Sequence, residues 1–415
     1  MSLLADLMSN LFDRRYVPFI RLERAGRSIE DLCRDLLTSR GEVSGSELAR
    51  LILDAYDGLD DEERMGFFRF LNDALDIDAD RIQLALSAYR DAPDRDTYRK
   101  LMQATEPRRQ ELARRMNQMP GATARLVAMR SDLIETLKTD PHLAKLDVDF
   151  RHLFKSWFNR GFLVLRPINW ESPAHILEKI IRYEAVHAIG SWRELRRRMQ
   201  PADRRCFAFF HPAMPDEPLI FVEVALTRGI ADSIQGVLAD EREVLDADDA
   251  DTAVFYSISN CQPGLAGISF GNSLIKQVVA ELSREAPGIK TFVTLSPVPS
   301  LTAWIGSIGA VVPDDPEALR AAAAHYLTEV KDESGLPRDP VARFHLTNGA
   351  ILHEVHAGAD LSETGLARSG GVMVNYLYDL SRIDRNHEAF ASAQKVASSG
   401  AVQALARQYG APVEA

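Results

Sequence analysis

The segment Gln262-Pro263-Gly264-Leu265-Ala266-Gly267-Ile268-Ser269-Phe270-Gly271-Asn272 has the residue types of an anion-binding loop. A β-branched and aromatic run at 253–258 precedes it. A run with Leu274, Ile275, Val278, Val279 and Leu282 at helical spacing follows and stops at Pro287-Gly288. Residues 291–295 read as the next strand. Strand, glycine-rich loop, helix and strand in that order aim backbone N–H groups and a helix N-terminus at one point. Such a point attracts phosphate, because the first helical amides lack partners and the helix dipole is positive there. Gly264, Gly267 and Gly271 would let the backbone approach a ligand without Cβ interference. The spacing is neither that of the Walker loop nor that of the dinucleotide fingerprint. By itself the loop is also compatible with an ordinary glycine turn.

Two other chemistries fail on spacing. His353-Glu354-Val355-His356 lacks the i, i+4 histidines of a helical zinc site and reads as a strand, where residues three apart face opposite ways. Ser296-Pro297 lacks the glycine flanks of a hydrolase nucleophile elbow. Cys33, Cys206 and Cys261 are far apart and odd in number, which suggests neither a disulfide framework nor zinc spacing and fits a reducing cytoplasm.

The whole chain of 415 residues carries a formal charge of −11, which argues against general nucleic-acid binding but leaves room for a local basic pocket. Residues 1–19 intersperse acids and arginines among their leucines, unlike a signal or transit peptide, and no apolar run is long enough to span a membrane. The length calls for two domains.

Helical periodicity fills the first third, with segments at 46–55 (Ser46 as N-cap), 62–75, 80–89, 97–105, 108–117 and 123–138, and a breaker at Met119-Pro120-Gly121. Strand signals dominate after Arg205, at 206–210, 219–225 and 253–258, the first two joined as a hairpin through 212–218. The expectation is an α+β chain: a helical bundle over 1–155, then a mixed α/β domain over 156–415.

The glycine loop resembles the pyrophosphate loop of the acetyltransferase-like superfamily, which cradles coenzyme A at the start of its central helix. Further segments narrow this. Phe210-His211-Pro212-Ala213-Met214-Pro215-Asp216-Glu217-Pro218-Leu219, Phe255-Tyr256-Ser257-Ile258-Ser259, Leu295-Ser296-Pro297-Val298-Pro299, Phe344-His345-Leu346-Thr347-Asn348-Gly349-Ala350 and Gly370-Gly371-Val372-Met373-Val374-Asn375-Tyr376 occur in that order. Together they resemble the malonyl-CoA decarboxylase family, from about Arg160 to Asp379 and more loosely in the helical N-terminus.

That resemblance implies an acetyltransferase-like catalytic domain that converts malonyl-CoA to acetyl-CoA. It implies coenzyme A binding by Ala266, Gly267, Ile268, Ser269, Phe270, Gly271 and Asn272, and a homotetramer or dimer of dimers assembled through the helical region. It places Ser296 and His345 in the catalytic pair, His345 as proton donor. Taken alone, Ser296 is a strand-to-loop serine and His345 a buried or capping histidine. Chemically, a hydroxyl is too weak an acid to serve as a free base, so Ser296 is expected to hold the acyl head by hydrogen bonding. The thioester delocalises the electrons left by CO2, so no metal or organic cofactor is needed. His211, in a loop stiffened by Pro212 and Pro215, is a further pocket candidate. Tyr256 and Ser259 either face the acyl group or, the favoured reading, pack beside the loop, and Asn348 and Gly349 either orient His345 or form a turn. At Ser269 some members of the family carry an acid. A coenzyme-A-dependent acyltransferase, or a non-catalytic coenzyme A sensor, would share the loop.

Overall fold

The structure is a computed structural model that describes residues 26–39, 41–268 and 274–409. The chain divides into two compact units. One takes Met1–Phe158 with Gln262–Ile268, the other Asn159–Cys261 with Ser269–Ala415.

In the first unit the described elements are helical: α1 (Ile29–Thr38), α2 (Glu42–Asp57), α3 (Asp61–Asp73), α4 (Ala79–Asp91), α5 (Arg95–Ala104), α6 (Arg108–Met116), α7 (Ala122–Thr136) and α8 (Ala144–Trp157), with short 3-10 turns. Local chemistry sets their ends. Asp60 and Glu63 form a reciprocal capping box at the start of α3, and Asp94 caps α5 through the amides of Asp96 and Thr97. Gly121, at φ +79°, opens α7 after Pro120. The expected cap at Ser46 is wrong: α2 begins four residues earlier, after Gly41. Ser44 Oγ donates to the Gly41 carbonyl at 3.0 Å and ties that extra first turn. Leu32, Ile52, Phe67, Phe68, Leu112, Leu126 and Phe154 form the buried core. Each such side chain contributes roughly 1.5–3 kcal/mol of burial. By contrast α4 buries no residue, and Leu84, Tyr98 and Met102 on α4 and α5 are exposed.

The second unit is built on an eight-stranded sheet, β1 (Val164–Ile168), β2 (Arg204–His211), β3 (Met214–Thr227), β4 (Thr252–Asn260), β5 (Thr291–Thr294), β6 (Ser296–Pro297), β7 (Ile351–His356) and β8 (Met373–Leu377). The order is β1-β2-β3-β4-β5-β8-β6, with β7 also on β8. Its helices are α9 (Ala174–Tyr183), α10 (Trp192–Met199), α11 (Ile234–Leu238), α12 (Leu274–Glu285), α13 (Leu301–Ser307), α14 (Pro316–Thr328), α15 (Pro340–Thr347), α16 (Glu363–Ser369), α17 (Ile383–Ala393) and α18 (Gly400–Gln408). The expected hairpin forms, but its turn is tighter than read: β3 starts at Met214, and two register shifts near Phe210 absorb Pro215 and Pro218.

β4 and β5 are parallel neighbours joined through the crossover helix α12. They pair from Thr252↔Thr291 to Phe255↔Thr294, and Leu295 N donates to the Phe255 carbonyl at 3.0 Å. Beyond that bond they part. Pro297 has no amide to continue the ladder, and Ser296 and Pro297 pair instead with Val374 and Met373 of β8. A helix-linked parallel pair that splays at its C-terminal end is the acetyltransferase-like arrangement implied by the motifs. No helix among the described residues is long and apolar enough to cross a membrane.

Candidate active site

Ser296 lies where β5 turns away from β4, and His345 lies near the end of α15. The helix is started by Asp339, whose Oδ1 accepts the amides of Val341 and Ala342 at 2.9 Å each, with Pro340 at its first position. Burial pushes the Asp339 carboxyl up to about 6. One and a half turns along, His345 points inward and is 2% exposed; Ser296 is 7% exposed.

Ser296 Oγ and His345 Nε2 are 3.1 Å apart. Ser296 Oγ donates to Thr294 Oγ1 at 2.9 Å, so its single proton is committed. It therefore accepts from His345 Nε2–H. This assigns the other ring nitrogen: Nδ1 accepts from the Tyr378 hydroxyl at 2.8 Å. The chain of donors runs from Tyr378 through His345 and Ser296 to Thr294. Tyr376 stacks on the imidazole, with centroids 4.4 Å apart and planes at 22°. Burial alone drives the His345 pKa down to about 3, so the resting ring is neutral.

The motif readings divide. Ser296 and His345, 49 residues apart, are brought together. Asn348 and Gly349 form the turn after α15: Asn348 Nδ2 donates to the Phe344 carbonyl at 2.7 Å, and Gly349 sits at φ +82°. Orientation of His345 comes instead from Tyr376 and Tyr378, which the sequence reading did not assign. Their i, i+2 spacing on a strand places both on one face. Only the folded chain shows that this face meets His345. His211 is not in this hydrogen-bond chain. It ends β2, accepts the Ala213 amide on Nδ1 at 3.1 Å, and lies edge-on to Phe162. Tyr256 is buried in the core under the sheet. Ser259 faces Glu184, which also accepts from Ser257 at 2.7 and 2.9 Å.

Of the glycine loop, Ala266, Gly267 and Ile268 are described; Ser269, Phe270, Gly271 and Asn272 lie outside the described residues. Gly267 adopts φ +73°, the left-handed conformation that favours glycine. Gly264 does not face a ligand. A Cβ there would stand 1.8 Å from the Val127 carbonyl oxygen on α7, so its lack of a side chain serves packing. The strand His353–His356 reading holds, since these residues lie in β7.

The model of the malonyl-CoA decarboxylase C-terminal domain matches residues 161–316 and 313–414, and that of the N-terminal domain matches residues 75–158. The chain belongs to the malonyl-CoA decarboxylase family. Among solved structures, malonyl-CoA decarboxylase from Agrobacterium vitis is 50% identical, with a TM-score of 0.85 over 91% of this chain and 99% of that one. The enzyme from Rhodopseudomonas palustris is 46% identical, with a TM-score of 0.86 over 91% and 98%. The mitochondrial malonyl-CoA decarboxylase of Anser anser anser is 33% identical over 354 residues, 73% of this chain and 70% of that protein.

Proposed function

We propose that this chain decarboxylates malonyl-CoA to acetyl-CoA and CO2, with Ser296 and His345 as its catalytic pair and without metal or organic cofactor. The observation that carries the reading is the Ser296–His345 contact, buried where β4 and β5 part, in a chain whose residues 75–158 and 161–414 match the two domains of this family.

The chemistry follows from charge. The C–C bond to the carboxylate breaks, its electron pair moves into the thioester as an enolate, CO2 leaves, and the α-carbon takes a proton. The enzyme lowers the barrier by donors at the developing oxyanion and by an acid near the carbon. A neutral imidazole with a pKa of about 3 is a poor acid reserve by itself. The substrate corrects this. A carboxylate about 4 Å away contributes roughly 4 kcal/mol at an effective dielectric of 20. That is about three pKa units, enough to lift His345 back towards 6. His345 thus takes up a proton as the malonyl group enters and delivers it to the carbanion as CO2 departs. Ser296, held by Thr294, orients the acyl head. Electrons rest in the thioester throughout, so no external sink is required.

Purified protein and malonyl-CoA, in chelator and without any acyl acceptor, are expected to yield equimolar CO2 and acetyl-CoA. No turnover despite tight coenzyme A binding would favour a sensor, and turnover only with an added amine would favour an acyltransferase. The subunits assemble through the helical region, a reading supported by α4, which buries nothing within its own chain, and by the exposed Leu84, Tyr98 and Met102. Three free, buried cysteines support a reducing, cytoplasmic setting.

A further inference from the structure

We propose that a cleft between helices α14 and α18 binds a small organic oxyanion, a carboxylate or a phosphate ester, on the ammonium of Lys331. Every residue of the cleft belongs to the second compact unit, and none takes part in the hydrogen-bond chain of Ser296 and His345.

The cleft has a volume of about 460 Å³. Thr328 and Glu329 line it at the end of α14, Lys331 just beyond, Gln394 after α17, and Gln403 and Arg407 on α18. Small-molecule sites typically occupy roughly 300–1,000 Å³. Lys331 decides what this one can hold. Its Nζ is buried and has no hydrogen-bond partner among the described residues. A lysine that merely covers apolar surface lays down its methylenes and turns the ammonium out to water. Lys331 does the reverse, although a buried ammonium without an acceptor is unfavourable. Burial lowers its pKa from the ordinary lysine value, with Glu329 opposing the shift. An oxyanion would supply both an acceptor and the countercharge.

The position of this lysine is fixed by its backbone. Lys331 bridges Pro337 in a small hairpin, closed by Asp332 N on the Leu336 carbonyl at 2.8 Å and Arg338 N on the Val330 carbonyl at 3.1 Å. The neighbouring Asp332 carboxylate is engaged elsewhere. It accepts the amides of Ser334 and Leu336 and a bond from Arg343 of α15 at 2.6 Å. On the α17 side, Gln394 is the one non-glycine among the described residues at positive φ, +54°. Such strain persists where surrounding contacts enforce it. Here Gln394 Nε2 donates to the Ser334 carbonyl at 2.8 Å and ties the hairpin to the end of α17. Gln403 Nε2 donates to Ser398 at 3.3 and 3.4 Å, long bonds that a ligand oxygen can replace. Arg407, exposed in the last turn of α18, adds a second cation with paired donors. Two cations against the single carboxylate of Glu329 leave the lining positive.

The test is thermal unfolding of the full-length protein in sodium chloride, with inorganic phosphate or citrate added at matched ionic strength. It needs no turnover, so it is independent of the proposed reaction. A ligand that binds only the folded chain raises Tm, and a rise of about 2–4 °C is expected with one of the two anions, which tells phosphate from carboxylate recognition. Lys331→Met keeps the aliphatic bulk and removes the charge. It should unfold no earlier than the parent and lose the rise. Arg407→Gln, an exposed change, should need about ten times more anion for the same rise. In both variants kcat/KM for malonyl-CoA should stay within about twofold. No rise with either anion in the parent, or an equal rise in Lys331→Met, overturns the inference, the latter by placing the anion elsewhere. If Lys331→Met does not fold, an unchanged anion dependence in Arg407→Gln overturns it as well. A folded Lys331→Met without turnover would assign the lysine to the substrate site, and the separate cleft falls.

Discussion

At the scale of single residues, the site depends on one commitment: the Ser296 proton goes to Thr294, so His345 must present Nε2–H, and Tyr378 must satisfy Nδ1. Removing either end of the pair should therefore have unequal effects. His345→Ala removes the proposed acid and is expected to lower single-turnover CO2 release by about 10²–10⁴-fold. Ser296→Ala removes the hydroxyl that orients the acyl head, its proton turning from Thr294 to the substrate as the acyl group enters, and should cost about 10²–10³-fold. Both act on one enolate, so the double variant should resemble the worse single one rather than their product. Coenzyme A affinity, measured alongside, should survive in all three. A near-normal rate in His345→Ala would take the imidazole out of the mechanism and hand the proton step to another group.

At the scale of elements, the position of His345 depends on how α15 ends. Gly349 adopts φ +82°, and a Cβ there would stand 2.1 Å from the Ile383 carbonyl oxygen, at the start of α17. An alanine would meet both the left-handed strain and that clash, about 1–2 kcal/mol for the backbone alone. Gly349→Ala is expected to destabilise the fold by more than that figure in denaturant unfolding. Any folded protein that remains should lose CO2 release, because α15 must shift against α17 and carry His345 away from Ser296. Asn348→Ala, which loses only a hydrogen bond to the Phe344 carbonyl, should be milder. Equal stability of Gly349→Ala and the parent would show that the turn relaxes without cost.

For the whole molecule, burial of a neutral histidine appears in acid stability. His345 falls from 6.5 to about 3 on folding, because burial disfavours the charged ring. Between those values the unfolded chain binds more protons, so stability contributed by this group is full above pH 6.5 and is lost as pH falls. Glu223 runs the other way. Complete burial raises it to about 8, so it favours the fold at low pH and opposes it as pH rises. Total stability mixes such terms, and the comparison must isolate one. Relative to His345→Gln, the parent should lose about 2 kcal/mol between pH 7.5 and 5. A difference that stays constant across this range would mean the ring is not held neutral. Assembly is tested at the same scale: the parent should be oligomeric at micromolar concentration in light scattering, and Leu84→Asp with Met102→Asp should reduce its mass.

The sequence by itself determined what depends on local chemistry and on motif order. Helical periodicity located α2 to α7, because apolar spacing and caps such as Asp60 act within a few residues. It overlooked α1, although Ile29, Leu32, Cys33 and Leu36 carry the same spacing behind the Ser28 cap. Strand, loop and crossover helix around residue 264 were legible for the same reason, and the ordered motifs singled out Ser296 and His345. Tertiary structure decided everything that needed two distant segments in one place. It turned Gly264 from a ligand-facing glycine into a packing contact with Val127, and it brought Tyr376 and Tyr378 to the imidazole. It also set a cation of α8 against Gly267. None of these is visible as spacing, because contact across more than a hundred residues, or between neighbouring strands, is set by how elements pack.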